Sequence, residues 1–367
     1  MLPWLRRLSG RVPGMRLADA HTHLGGNDSD GWRCSPAELT GALTLAGARA
    51  VVFPLMERAD YREANDAVLA AAAASQGRLV PFCRVNPDTG PVRELERCVA
   101  AGARGVKLHP RAERFDLRHA GVAAVFAAAA ERRLPVIIHA GLGIDSLGRD
   151  ALMLGDRYPG APLILAHLGV TDLAWIWRRL GDHPSVFFDT AWWNLADHLA
   201  LFAHVPPGRI LLGSDAPYGT PAAAAIVAIR CALHAGLTTA QIQAVTGGQL
   251  QRLLDGYDPA GLGPAPGPPP PRSPLVDGVF TLLVGALARM LDGQPATGLL
   301  QLARLGCQAG APKPEAPLFP RHPPSMAPGH RKGEEAKKHP AATRPTVPGA
   351  PGPRDRPPHR RDRAGPR

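Results

Sequence analysis

Ala18-Asp19-Ala20-His21-Thr22-His23-Leu24-Gly25 places two histidines one residue apart, at the end of an apolar-leaning run that begins at Met15. On a strand, residues i and i+2 share a face. His21 and His23 therefore project together where the strand ends, ahead of the glycine pair Gly25-Gly26. Two imidazoles on one face can bind one Zn²⁺-like ion. Two solvated or hydrogen-bonded histidines satisfy the same pattern, so the rest of the chain has to decide between them.

Seven further short apolar runs follow the first, 16–21. They are 50–53, 79–85, 105–109, 135–139, 162–167, 185–189 and 209–213. Continuous apolar runs of this length fit buried parallel strands. Helical stretches lie between them. Ser35-Pro36-Ala37-Glu38 and Asp60-Tyr61-Arg62-Glu63 each place a capping residue three positions before a glutamate, and the Ala-rich stretch 120–133 is a third helix. Eight strands alternating with helices predict a (β/α)₈ TIM barrel over residues 15–256. A doubly wound sheet would want a Gly-rich phosphate loop after its first strand, and His-Thr-His-Leu-Gly-Gly is not one.

Ionisable residues recur where these strands end. Arg84 ends the third, Lys107 and His109 the fourth, His139 the fifth, His167 the sixth and Asp189 the seventh, while Asp215 follows the eighth. In a barrel these termini meet on one rim, the catalytic C-terminal face. Histidines at the ends of apolar runs need a reason to be there, because burying them without partners is costly.

With these residues in view, the chain resembles the amidohydrolase superfamily, and its amidohydrolase-related branch, which also holds metal-dependent decarboxylases. The phrases that carry the resemblance are His21-Thr22-His23, Gly-Val-Lys-Leu-His-Pro at 105–110, Val-Ile-Ile-His-Ala-Gly at 136–141, Leu-Ala-His-Leu-Gly at 165–169 and Gly-Ser-Asp-Ala-Pro at 213–217. The branch usually closes with a Gly-Asn-Ala-type helix start, and Gly247-Gly248-Gln249-Leu250 stands in its place. The resemblance implies that His21, His23, His139 and Asp215 ligate one divalent metal, Zn²⁺ first, with Mn²⁺ or Fe²⁺ as alternatives. It gives Asp215 a second role as the base for the attacking water. His167 either ligates a second metal or acts as an acid/base beside the first. Lys107 is either unmodified or a metal-bridging carbamate, and as a free amine it could instead anchor a substrate carboxylate. His109 is a candidate for substrate or second metal. Arg84 and Asp189 are candidate substrate contacts, with structural ion pairing as the alternative for each. The implied activity is metal-dependent hydrolysis of a C–N or C–O bond in a small carbonyl compound, with non-oxidative decarboxylation as the runner-up.

Composition bounds the remainder. The formal charge is +11, but residues 311–367 hold 13 Lys+Arg against 5 Asp+Glu and so carry +8 of it. The barrel, near neutrality, is expected to bind a small molecule and not nucleic acid. A binding protein acting through the basic tail is the reading from another class, and a homo-oligomer is open. The five cysteines, Cys34, Cys83, Cys98, Cys231 and Cys307, contain no C-x-x-C pair, and with no signal peptide legible in residues 1–14 they point to the cytoplasm. No run of about 18 apolar residues is present to span a bilayer, so no membrane partner is expected. Residues 1–14 read as a leader, 257–274 as a Pro/Gly linker, 275–310 as a short helical segment and 311–367 as a disordered basic Pro-rich tail.

Overall fold

Among the described residues, nine parallel strand segments, two of them consecutive and the others separated by helices, close on themselves. The computed structural model describes residues 1–308 apart from 29–30, 58–59, 142–143, 145–146, 269–273 and 292, so the expected disorder of 311–367 lies outside the described residues. The segments are β1 (Leu17–Leu24), β2 (Ala48–Pro54), β3 (Leu79–Pro81), β4 (Cys83–Arg84), β5 (Val106–Leu108), β6 (Val136–Ile138), β7 (Leu163–Leu165), β8 (Val186–Asp189) and β9 (Ile210–Leu211). β1, β2 and β3 form one parallel ladder, and β4 to β9 form another in chain order.

The third expected strand is divided at Phe82 into β3 and β4. Phe82 N still donates to Val52 O at 2.9 Å, while Cys83 N donates to Gly105 O at 3.1 Å, so the ladder passes from β2 to β5 within two residues. The Phe82 ring lies where a Cβ on Gly105 would sit, 2.4 Å away, which is why position 105 carries no side chain. The other seam is sealed by backbone. Ala20 N donates to Leu212 O at 2.7 Å, Asp215 N to His21 O at 2.8 Å and His23 N to Ala216 O at 2.7 Å. With both seams bridged, the eight-stranded (β/α)₈ barrel is complete.

The interior follows from the two-residue strand period. Ala18, Ala20, Val51, Phe53, Ile137, Ile164, Phe187 and Leu211 fill the barrel, with Leu250, Leu253 and Leu254 of helix Gln249–Leu254 plugging its lower end. Their chain neighbours Val136, Ile138, Leu163, Leu165, Val186 and Phe188 pack outward against the helices. Lys107 is in register with Ile137 of β6, and Arg84 with Lys107, which aims two cations into this interior.

Ser35 caps helix Pro36–Ala46 with the full capping box. The expected box at Asp60 is absent. Helix Arg62–Ala74 starts after Tyr61, and Asp60 accepts from Arg62 N instead, because its side chain sits one position too early. Residues 2–11 form a helix that buries Leu5 and Leu8. Beyond the barrel, Gln249 Nε2 donates to Gly208 O at 2.7 Å and its Oε1 accepts from Ala260 N at 3.1 Å, lacing the start of the Pro/Gly segment to the barrel. Helices Pro274–Leu291 and Thr297–Gln308 follow. No described helix is long and apolar enough to cross a membrane.

Candidate metal centre and active site

Strand β1 carries His21 and His23 into the barrel mouth, and both rings turn toward the carboxylate that follows β9. His21 Nε2 lies 3.1 Å and His23 Nε2 3.0 Å from Asp215 Oδ1. His167, two residues past the end of β7, brings its ring centroid to 5.1 Å from that of His21. Ligand atoms of His21, His167 and Asp215 lie within 4.8 Å of one another, as a metal site requires. His167 and Asp215 reach these positions through left-handed backbone, φ 55° and φ 59°. Such angles cost non-glycine residues about 1–2 kcal/mol and concentrate at functional sites.

The hydrogen-bond network assigns the protons on these rings. Asp189 Oδ2 takes His21 Nδ1 at 2.8 Å, and the Ala191 carbonyl takes His167 Nδ1 at 2.6 Å. An ionised carboxylate and a carbonyl only accept, so both Nδ1 atoms carry protons. His167 Nε2 is then an acceptor, and its 2.9 Å partner His139 Nδ1 must donate. That leaves His139 Nε2 as a bare lone pair, buried and with no hydrogen-bond partner. A Cβ on Gly141 would lie 2.8 Å from this atom, so a glycine there keeps it uncovered. On His21, the lone pair of Nε2 faces an anionic oxygen. Two acceptors at 3.1 Å call for a proton or a metal cation between them. This donor set, imidazole nitrogens and one carboxylate with protons parked on the outer nitrogens, suits a divalent metal.

Electrostatics keep most of these imidazoles neutral, as ligation needs. Burial pushes His23 down to about 4. Burial, reinforced by His167, holds His139 well below the usual value, and burial also lowers His167. For His21, burial and the Lys107 ammonium oppose protonation, but the Asp189 and Asp215 carboxylates outweigh them and raise its pKa. Burial works against ionisation of Asp215, yet His21 and His23 hold its carboxyl well below the usual range.

Lys107 is fully buried, its Nζ 3.5 Å from His21 Nε2 and 4.8 Å from the centroid of Phe53. Burial lowers its pKa to about 8, against the pull of Asp189 and Asp215. His109 stacks on His139 with centroids 3.8 Å apart, and its Nδ1 accepts from Ala112 N at 3.2 Å. Asp189, a candidate substrate contact from its strand-end position, is 0 % exposed; besides His21 it accepts from His167 N at 2.9 Å and Ala191 N at 3.0 Å. Its oxygens face protein because the strand end lies below the rim. Arg84, the other such candidate, borders the cavity but gives its guanidinium to Glu113 at 2.6 Å and to Pro54 O at 3.3 Å.

The cavity above this cluster has a volume of about 450 Å³, within the range of small-molecule sites. Beyond the histidines, Asp215 and Lys107, its lining includes Asp28, Arg111, Arg114 and Tyr218. Tyr218 OH donates to Asp28 Oδ2 at 2.8 Å across the mouth. Arg111, Arg114 and Tyr218 were not singled out from the sequence. They sit past the strand ends, and the run Arg111-Ala112-Glu113-Arg114 directly after Lys-Leu-His-Pro was the available signal. Trp192 and Trp193 do not line this cavity; Trp192 Nε1 donates to Asp197 Oδ2 at 2.7 Å.

Against known proteins, a family model described as amidohydrolase matches residues 18–248. The chain belongs to the amidohydrolase family. The amidohydrolase fold is shared with solved structures of low sequence identity. 5-Carboxyvanillate decarboxylase from Sphingomonas paucimobilis is 16 % identical, covering 66 % of this chain and 99 % of that one, with a TM-score of 0.52. 4-Oxalomesaconate hydratase from Rhodopseudomonas palustris is 16 % identical, covering 65 % and 96 %, with a TM-score of 0.52. 2,6-Dihydroxybenzoate decarboxylase from Rhizobium is 14 % identical, covering 66 % and 99 %, with a TM-score of 0.50. No curated protein matches the sequence. At these identities the likeness speaks to the barrel, which this amidohydrolase-family enzyme shares, and the chemistry has to come from the residues in the cavity.

Proposed function

We propose that this enzyme hydrolyses a C–N or C–O bond of a small carbonyl compound, using one divalent metal held by His21, His23, His139 and Asp215. The single observation that carries the reading is the approach of His21 Nε2 and His23 Nε2 to one oxygen of Asp215, at 3.1 and 3.0 Å. Zn²⁺ suits the nitrogen-rich set best, with Mn²⁺ or Fe²⁺ as alternatives. A metal ion held there would polarise the substrate carbonyl and bring the pKa of water toward 7.

The chain's own groups supply the rest. Asp215, ionised at neutral pH, accepts the proton of the attacking water. His167, fixed by Ala191 O, holds His139 in the tautomer that bares Nε2; as the acid/base beside the metal ligands it takes up a proton at Nε2 before it can give one to a leaving group. Asp189 orients His21 and is a positioning residue in this scheme. Lys107 stays an unmodified amine beside His21. Arg84 organises the wall through Glu113. The odd, scattered cysteines support placing this activity in the cytoplasm.

The test is elemental analysis of the purified protein together with a screen of small lactones, amides and aromatic carboxylic acids. One tightly held divalent ion per chain and turnover of a lactone or amide are expected. No bound metal and no activation by added Zn²⁺ or Mn²⁺ would overturn the reading. CO₂ release from an aromatic acid without any hydrolysis would move the chemistry to decarboxylation on the same residues, the activity named for two of the structures that share the fold.

A further inference from the structure

Four cations border the active-site cavity, Arg84, Lys107, Arg111 and Arg114, and they are not equivalent. Arg84 is neutralised by Glu113, whose Oε1 also accepts from the Tyr61 hydroxyl at 2.5 Å. Lys107 sits on the floor, 0 % exposed, against His21 and the Phe53 ring. Arg111 and Arg114 differ from both. They reach the cavity from the short helix Pro110–Glu113 that follows β5, are solvent-exposed, and have no hydrogen-bond, ion-pair or ring partner among the described residues. Facing them, the only carboxylates among the described lining residues are Asp28, which accepts from Tyr218, and Asp215, which faces the histidines. Among the described residues, Arg111 and Arg114 therefore leave positive charge on one side of the rim without an ion-pair partner.

The backbone holds that side in place. Arg114 adopts the left-handed conformation, φ 57° and ψ 44°, and ends the helix there. The turn lets Phe115 enter the core, 9 % exposed, with its N–H on Pro110 O at 3.1 Å, while Arg114 stays beside the cavity. A glycine would take this conformation without strain, and an arginine stands in its place.

We propose that Arg111 and Arg114 form an anion subsite that selects substrates bearing a carboxylate at the end remote from the scissile carbonyl. The proposal rests on the hydrolytic reading of the same cavity and adds the class of compound it accepts. It also moves the carboxylate anchor from Lys107, which is sealed in the floor, to the two arginines on the rim. Guanidinium groups bind carboxylates through charge-assisted, often bidentate hydrogen bonds, and exposed ones also steer anions toward a cavity.

The experiment measures binding of isophthalate and of benzoate, neither of which can be hydrolysed, to the full-length protein as purified, by calorimetry at low and at moderate salt. The two probes share one carboxylate and differ in the second. The wild type should prefer isophthalate by about 10-fold or more, with the preference shrinking as salt rises. Arg111→Gln and Arg114→Gln should each reduce it, the double variant should abolish it, and Arg114→Lys should restore part of it. Metal content and the far-ultraviolet spectrum should be unchanged in all of them. Equal affinity of the wild type for the two probes, including no measurable affinity for either, would overturn the proposal, as would an intact preference in a folded double variant. Failure of the hydrolytic reading looks different: it leaves no bound metal and no turnover in the wild type, whatever the arginines do.

Discussion

Asp189 grips His21 from behind. Its Oδ2 lies 2.8 Å from Nδ1, on the side of the ring opposite the Nε2 that points at Asp215. The contact fixes the tautomer, the ring angle and the basicity of a proposed metal ligand in one interaction. Asp189→Asn should therefore lower metal affinity by about 10–100-fold while the fold persists. Metal titration monitored beside thermal unfolding checks this, and a variant that retains wild-type metal affinity would return Asp189 to a purely structural role.

Removal of the ligands themselves should be more severe. His21→Ala, His23→Ala and His139→Ala are each expected to lose most of the bound ion. Elemental analysis after gel filtration reads the outcome. If His167→Ala loses the ion and His139→Ala keeps it, the compact group of His21, His167 and Asp215 is the true ligand set.

Asp215→Asn separates base from ligand. Imidazoles remain to hold an ion, but the water loses its proton acceptor. A fall in kcat of about 10²–10⁴-fold with little change in KM and modest loss of metal is expected. Near-wild-type turnover here, with His167→Asn inactive, would reassign the base to His167.

Lys107→Gln should retain one ion per chain, because among the described residues the buried amine touches His21 and the Phe53 ring and no carboxylate directly. Loss of two ions together, or mass spectrometry of the native protein showing a carbamate on Lys107, would make the centre binuclear.

Away from the site, Glu94 links Arg97, Asn65 and Cys98. Its hydrogen bond to the Arg97 guanidinium is the main cause of a pKa lowered from 4.5 to about 2, with burial opposing. The folded value lies below the unfolded one, so this stabilisation is complete above about 4.5 and is lost as pH falls toward 2. Urea midpoints of the wild type should drop between pH 6 and pH 3 by more than those of Glu94→Gln. Parallel acid losses in the two proteins would refute the assignment.

The barrel was legible in the chain because buried parallel strands read as short apolar runs, and because polar residues at their ends have no packing reason to be there. Seven of the eight runs correspond to single strand segments, and the remaining one, 79–85, divides at Phe82, where its hydrogen bonds pass from β2 to Gly105. That His21, His139, His167 and Asp215 would share a rim followed from the same periodicity. How they meet did not. The left-handed φ at His167 and Asp215, the orphaned Nε2 of His139 and the hold of Asp189 on His21 all depend on atoms brought together from strands distant in sequence. Residue order sets which face a side chain takes on its own strand. Which nitrogen keeps the proton, and which of Lys107, Arg84, Arg111 and Arg114 is left with charge to offer a substrate, is decided only when closure of the barrel buries some of these groups and partners others.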